Sequence, residues 1–234
     1  MKAAIITGAS VGIGQETAEL FLANSYLVFN LSRRPCPLDA VNNLPCDLSC
    51  ADSIRECMTA LTDALADVEH IALVHNASQM RKDACDECQS DSLREVLETN
   101  VVAINSINQA MLPLMKTGSS IVYVGSTLSE KAVPGSFSYV ISKHAQLGMM
   151  RATCQDMMGK GVHTALVCPG FTDTEMLRTH IGTDPEVEAS IGSMNSFGRL
   201  IQPREIAELI QWAHHHPVIN GAVLHANLGQ KENQ

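Results

Sequence analysis

The chain has 234 residues, of which 45% are hydrophobic and 18% charged, and its 25 acidic and 16 basic side chains leave a net charge of −9. A prior of about 150 residues per domain leaves one or two domains open, while the apolar fraction sits near the globular norm of roughly 45–50% and excludes a disordered or fibrous chain. The acidic balance, with no basic run, argues against nucleic acid or an anionic membrane surface as partner, and no apolar stretch approaches the roughly 18 residues of a membrane span.

The apolar run between Lys2 and Thr7 is only four residues long, too short for the core of a signal peptide, so the eight cysteines are expected to be reduced thiols in a cytoplasmic protein. Residues 3–6 form an apolar run that reads as a buried strand and stops at Thr7-Gly8-Ala9-Ser10-Val11-Gly12-Ile13-Gly14. An amphipathic helix is predicted directly after it, over 15–24. Glycines at a strand-to-helix junction permit a tight turn, and the helix start offers free N–H groups to an anion. Gly8, Ser10, Gly12, Ile13 and Gly14 are therefore candidate contacts for a dinucleotide pyrophosphate. The bland alternative, a simple glycine turn, fits the βαβ setting less well.

Residues 26–31 read as the second strand. Its end decides the cofactor, because an NAD site usually carries an acidic residue about 20 positions beyond the glycines. Here that place holds Ser32, followed by Arg33 and Arg34. No carboxylate stands there to repel a 2′-phosphate and a guanidinium is placed to bind one, so NADP(H) is expected. The interval 34–47 is short and carries Pro35, Pro37 and Pro45, so any helix there is stunted.

Further along, helical patterns at 53–66, 92–115, 138–158 and 203–214 alternate with strand-like runs at 71–75, 121–125, 164–168 and 222–226. Near-continuous apolar strands separated by helices indicate a parallel sheet covered on both faces. No linker, repeat or composition shift divides the chain, so one domain over 1–234 is preferred. The stretch 182–198 fits the alternation poorly.

Three local features take bland readings. Cys85 and Cys88 have the spacing of half a zinc site, but no second such pair follows, so ordinary thiols and no metal are expected. His214, His215 and His216 close a helical pattern and suit its negative C-terminal end. Met149, Met150, Met157 and Met158 suit core or subunit contact, in keeping with an expected homodimer or homotetramer. Met176 and Met194 flank the segment after Gly170 and are candidates for a substrate pocket.

Tyr139 and Lys143 open the helical pattern at 138–158 and, four apart, share one face at roughly 5–6 Å between Cβ atoms. A phenol titrates near 10, so a neighbouring cation such as Lys143 is needed to make it a proton donor and acceptor at neutral pH. Ser126 follows the strand-like run at 121–125, at a carboxyl end where open α/β sheets build their sites.

Together these residues resemble the short-chain dehydrogenase/reductase family, over essentially the whole chain. The glycine motif matches Gly8, Gly12 and Gly14. The family's Asp-Leu pair after its third strand matches Asp47 and Leu48, and its Asn-Ala-Gly motif appears as Asn76-Ala77-Ser78. The family's catalytic asparagine looks like Asn100, its serine Ser126, and its Tyr-x-x-x-Lys pair Tyr139 and Lys143. Pro169, Gly170, Thr172 and Thr174 resemble the segment that wraps the nicotinamide end.

The resemblance implies a single Rossmann-like, doubly wound α/β domain that moves hydride between NADPH and a carbonyl or alcohol. It implies that Tyr139 passes a proton to the substrate oxygen, which Ser126 holds. Lys143 would hold the nicotinamide ribose and favour the tyrosinate, Asn100 would anchor a water that resupplies the proton, and Asp47 would contact the adenine. Ser78 in place of glycine, the shortened second helix and Asn227-Leu228-Gly229 in place of Asp-Gly-Gly depart from the family pattern. The segment 171–197, with Phe171, Met176 and Ile181 among glycines and one basic residue, Arg178, reads as a mobile apolar lid. The substrate expected is a largely apolar ketone, diketone or 3-oxoacyl thioester. A non-catalytic dinucleotide-binding sensor or scaffold is the competing reading.

Overall fold

The computed structural model describes residues 1–231. Seven strands, β1 (Lys2–Thr7), β2 (Leu27–Ser32), β3 (Asn42–Pro45), β4 (His70–His75), β5 (Ser120–Val124), β6 (His163–Pro169) and β7 (Ala222–Ala226), form one sheet in the spatial order β3-β2-β1-β4-β5-β6-β7. All pairings are parallel, with Ala3 opposite Leu27 and Lys2 opposite His70 on either side of β1. Ala3 and Ile5 point into one core, Ala4 and Ile6 into the other, and all four are fully buried. A strand buried on both faces has no polar side to show, which explains its continuous apolar run.

The eight α-helices assigned among the described residues include α1 (Gly12–Ala23), α2 (Ala51–Ala64), α3 (Ser90–Leu97), α4 (Ala103–Met111) and α5 (Phe137–Asp156). The others are α6 (Glu175–Ile181), α7 (Pro185–Gly192) and α8 (Pro203–His215). Side chains of α2, α4 and α5 fill one core, those of α1 and α8 the other. The doubly wound α/β architecture expected from the sequence is present. The winding changes direction between β1 and β4, and the carboxyl ends flanking that change frame a crevice. Among the described residues no helix is long and apolar enough to cross a membrane.

Four local expectations are corrected. β3 lacks the apolar pattern of the other strands because it is an edge strand with three of its four residues exposed or nearly so, and an edge tolerates Pro45. No helix forms between Arg34 and Asp47. Instead the Asn43 carboxamide oxygen accepts from Asn30 Nδ2 at 2.9 Å and from the Cys36 amide at 2.7 Å. The helical pattern at 92–115 is interrupted by a π turn, Glu98–Val102, between α3 and α4. The stretch after Gly170 is largely helical: α6 and α7 meet across Gly182, whose φ of +74° suits only glycine.

Two side-chain readings change as well. Met150 and Met157 are buried and Met149 packs against the core, but Met158 is 74% exposed. His214 does not serve the helix end as a cation. It is buried, exchanges hydrogen bonds with the Tyr26 hydroxyl at 2.9 Å and the Ser120 hydroxyl at 2.7 Å, and burial holds its pKa down at about 3. His215 and His216 remain on the exposed end, their Nδ1 atoms on carbonyls one turn back.

Candidate active site

The glycine turn is braced from both neighbouring strands. Ala9 N–H donates to Asn30 Oδ1 on β2 at 2.9 Å, and Asn76 Nδ2 donates to the Thr7 and Gly8 carbonyls at 3.0 Å each. Thr7 Oγ1 in turn accepts from the Asn76 and Ala77 amides, each at 3.0 Å. A Cβ on Gly14 would lie 2.2 Å from the Gly8 carbonyl oxygen and 2.6 Å from Asn76 Nδ2, so only glycine lets α1 pack this closely. Gly8 and Gly12 have positive φ, at +71° and +57°. The N-cap of α1, Val11, makes no side-chain cap and its first turn holds no acidic residue. The amides there are left for an anion from outside the chain.

These features fit a dinucleotide, and the end of β2 extends the fit. Ser32, Arg33 and Arg34 line the same cleft as Gly8, Ser10, Gly12 and Ile13. Arg34 is committed, its two terminal nitrogens each 3.1 Å from the Glu175 carboxylate on α6. Arg33 is exposed and, among the described residues, has no carboxylate within ion-pair distance. No acidic residue follows β2 before Asp39.

The cleft has a volume of about 960 Å³ and runs from Ser32 and Arg33 to Ser126, Tyr139 and Lys143. Asn76, Pro169, Gly170, Thr172 and Thr174 also line it, so fourteen of the eighteen residues singled out from the sequence meet there. Gly14, Asp47, Leu48 and Asn100 do not. Gly14 stands behind the turn, and Leu48 packs against the core. Asp47 closes a turn on the Ser49 amide and hydroxyl at 2.9 and 2.7 Å, and these bonds hold its carboxyl below the usual range.

Tyr139 and Lys143 sit on the first turns of α5 and are almost wholly buried, at 8% and 1% exposure. Asp83 secures that helix start: its Oδ1 accepts from the Ser138 amide at 3.0 Å and its carbonyl from Phe137 N–H at 3.1 Å. Lys143 Nζ lies 5.4 Å from the Tyr139 ring centroid and donates to the Val124 carbonyl at 2.8 Å. Burial pushes the phenol up to about 12, and the neighbouring Ser126 and Ser78 hydroxyls pull it back only in part. Burial likewise lowers Lys143 to about 7. The expectation that the lysine would lower the phenol is therefore corrected for the chain by itself. At neutral pH Tyr139 holds its proton.

Asn100 lies in the middle of the π turn, fully buried. Its Oδ1 accepts from the Gln79 amide at 2.7 Å and its Nδ2 donates to the Gln79 carbonyl at 2.8 Å and Ser142 Oγ at 2.9 Å. Ser78, the departure from the family's glycine, lines the cleft with its hydroxyl buried beside the Tyr139 phenol. Met176 lines the cleft, whereas Met194 is 39% exposed and does not. Cys85 is exposed and Cys88 half-buried, and among the described residues no three His, Cys, Asp or Glu side chains gather as a metal site.

The sequence profile described as short chain dehydrogenase matches residues 2–184. The chain belongs to the short-chain dehydrogenase family. This membership makes it one of a family of oxidoreductases that use a nicotinamide dinucleotide. Similar members include the 3-oxoacyl-[acyl-carrier-protein] reductase FabG of Vibrio cholerae, 28% identical over 97% of this chain and 96% of the relative. Carbonyl reductase family member 4 of Xenopus tropicalis is 27% identical over 95% of both chains. A short chain dehydrogenase family protein of Francisella tularensis superposes with a TM-score of 0.89, 26% identity, and 97% and 98% coverage of the two chains. A Burkholderia cenocepacia short chain dehydrogenase in complex with NADP shares the fold at a TM-score of 0.86 and 23% identity, with 97% of each chain covered.

Proposed function

We propose that this short-chain dehydrogenase is an NADPH-dependent reductase of largely apolar carbonyl compounds, of the ketone, diketone or 3-oxoacyl thioester class. The observation that carries the reading is the continuity of one cleft from Arg33, which has no ion-pair partner among the described residues, to the half-buried Ser126 and the buried Tyr139 and Lys143. Gly8, Ser10, Gly12, Ile13 and Gly14 would form the pyrophosphate turn, Ser32 and Arg33 would take the 2′-phosphate, and Asp47 and Leu48 would border the adenine. Asn76, Pro169, Gly170, Thr172 and Thr174 would frame the nicotinamide end. When bound, the nicotinamide supplies hydride for the carbonyl carbon.

The chain's own residues do the rest. Tyr139 donates its hydroxyl proton to the substrate oxygen, a step that typically contributes ~10²–10⁴-fold. Ser126 Oγ, fixed by the Leu128 amide that donates to it at 3.1 Å, hydrogen-bonds the same oxygen and holds it near the phenol. Lys143 holds the ribose and places positive charge beside the tyrosinate left after proton transfer. Asn100 keeps the π turn in place behind Lys143. Met80, Leu128, Val133, Phe171, Met176 and Leu177 give the substrate end an apolar wall. The FabG and carbonyl reductase relatives support a carbonyl substrate. A panel of ketones, diketones and 3-oxoacyl thioesters, followed by loss of NADPH absorbance, tests the reading. Oxidation of NADPH by no member of the panel, with NADPH bound, would favour the sensor alternative.

A further inference from the structure

The π turn and the lysine are joined by a residue that none of the motifs above includes. With its side chain already spent on Gln79 and Ser142, Asn100 turns its backbone carbonyl toward α5, where Gln146 Nε2 donates to it at 2.8 Å. The other end of the same amide, Gln146 Oε1, accepts from Lys143 Nζ at 3.1 Å. Gln146 is 1% exposed, one turn beyond Lys143 on α5. Its orientation is forced. Reversing the amide would set oxygen against the Asn100 carbonyl and NH₂ against the ammonium, leaving both buried contacts repulsive.

We propose that Gln146 is a positioning residue for Lys143, spanning from the π turn to the ammonium and aiming it at the cleft. The proposal rests on the reading of Tyr139 and Lys143 as the reacting pair. An ammonium has three donors. Val124 O and Gln146 Oε1 take two on the inner side, which leaves one for the cleft that Lys143 lines. The amide ties the lysine's inner side to the π turn through the protein itself. Both inner partners are acceptors and favour the charged lysine against its burial. The titratable groups facing it are Tyr139 on α5 and Cys168 on β6, and among the described residues no carboxylate lies within ion-pair distance of Nζ.

The test reads the lysine directly. The chain has seven lysines, few enough for an NMR titration of ¹³C-labelled lysine side chains, with Lys143 assigned by its loss in Lys143→Met. In Gln146→Glu the midpoint of Lys143 should rise by roughly 1–3 units, and in Gln146→Met it should fall by on the order of one unit. In the unmodified chain the Gln146 side-chain amide should titrate at the midpoint of Lys143, which requires no variant to fold. An amide that ignores that titration, or a midpoint unmoved in whichever variant folds, overturns the proposal. None of these signals needs cofactor or substrate. They therefore decide the role of Gln146 even if no carbonyl compound is reduced, while failure of the reductase reading would appear only in the turnover panel.

Discussion

Exchanging the end of β2 should reverse cofactor preference. Arg33 faces the cleft with no carboxylate within ion-pair distance among the described residues, while Arg34 is held by Glu175, so a 2′-phosphate would gain a guanidinium that has no ion pair to break. A hydrogen bond to a charged group contributes ~1.5–3 kcal/mol, or roughly 10- to 150-fold in affinity at 1.4 kcal/mol per decade. Arg33 is exposed, and solvent screening moves the expected NADPH preference to the lower end, on the order of tenfold. In Ser32→Asp/Arg33→Ala that contribution disappears, and a carboxylate at the strand end repels the 2′-phosphate while accepting from a ribose 2′-hydroxyl. Quenching of protein fluorescence or calorimetry should therefore show NADPH bound tighter than NADH by the unmodified chain and the reverse by the double variant. Equal affinities in the unmodified chain, or a double variant that keeps its NADPH preference, would refute the reasoning.

Acid should destabilise the fold before carboxylates titrate. Burial holds His214 and His75 down at about 3 and about 4 against an ordinary 6.5, so the stability they contribute is complete above pH 6.5 and drains away as pH falls toward those values. At pH 5 each should have lost about 2 kcal/mol, which lowers the melting temperature by roughly 10 °C relative to pH 7; a flat profile over that range contradicts the burial account. The ends of the segment 171–197 are held by backbone hydrogen bonds to Ile201 and Leu228, while its middle meets the body through surface contacts such as Arg34 on Glu175 and Lys82 Nζ on the His180 carbonyl at 2.9 Å. Hydrogen exchange across it should slow when NADPH and a reducible substrate are added together, and unchanged exchange during turnover would remove the lid.

The sheet was legible because burial on two faces writes a plain apolar run, and six of the seven strands carry one. β3 does not, since an edge strand held by asparagine side chains needs no apolar pattern. Gly8, Gly12 and Gly14 could be placed from spacing because their constraints are local: a positive φ at Gly8 and Gly12, and at Gly14 a carbonyl 2.2 Å from where a Cβ would stand. The electrostatics of the cleft were not legible. Spacing alone puts Lys143 beside Tyr139, but whether attraction or burial wins depends on how completely the surrounding elements exclude water, and here burial wins for both. Gln146 was missed for a similar reason. Its partners are Lys143 on its own helix and the Asn100 carbonyl in a π turn, and no periodicity in residues 92–115 announces that turn. The signal that would have found it is a polar amide on the inward face of α5, three positions after Lys143. His214 was misread because its neighbours Tyr26 and Ser120 are distant in sequence.

The most direct test of the central claim is Tyr139→Phe, assayed for binding and turnover in parallel on the best carbonyl substrate of the panel. The ring stays and keeps its packing, and only the proton is removed. The variant should bind NADPH like the unmodified chain while turnover falls by roughly 10²–10⁴-fold. A phenylalanine variant that reduces the same substrate at a near-normal rate would contradict the account.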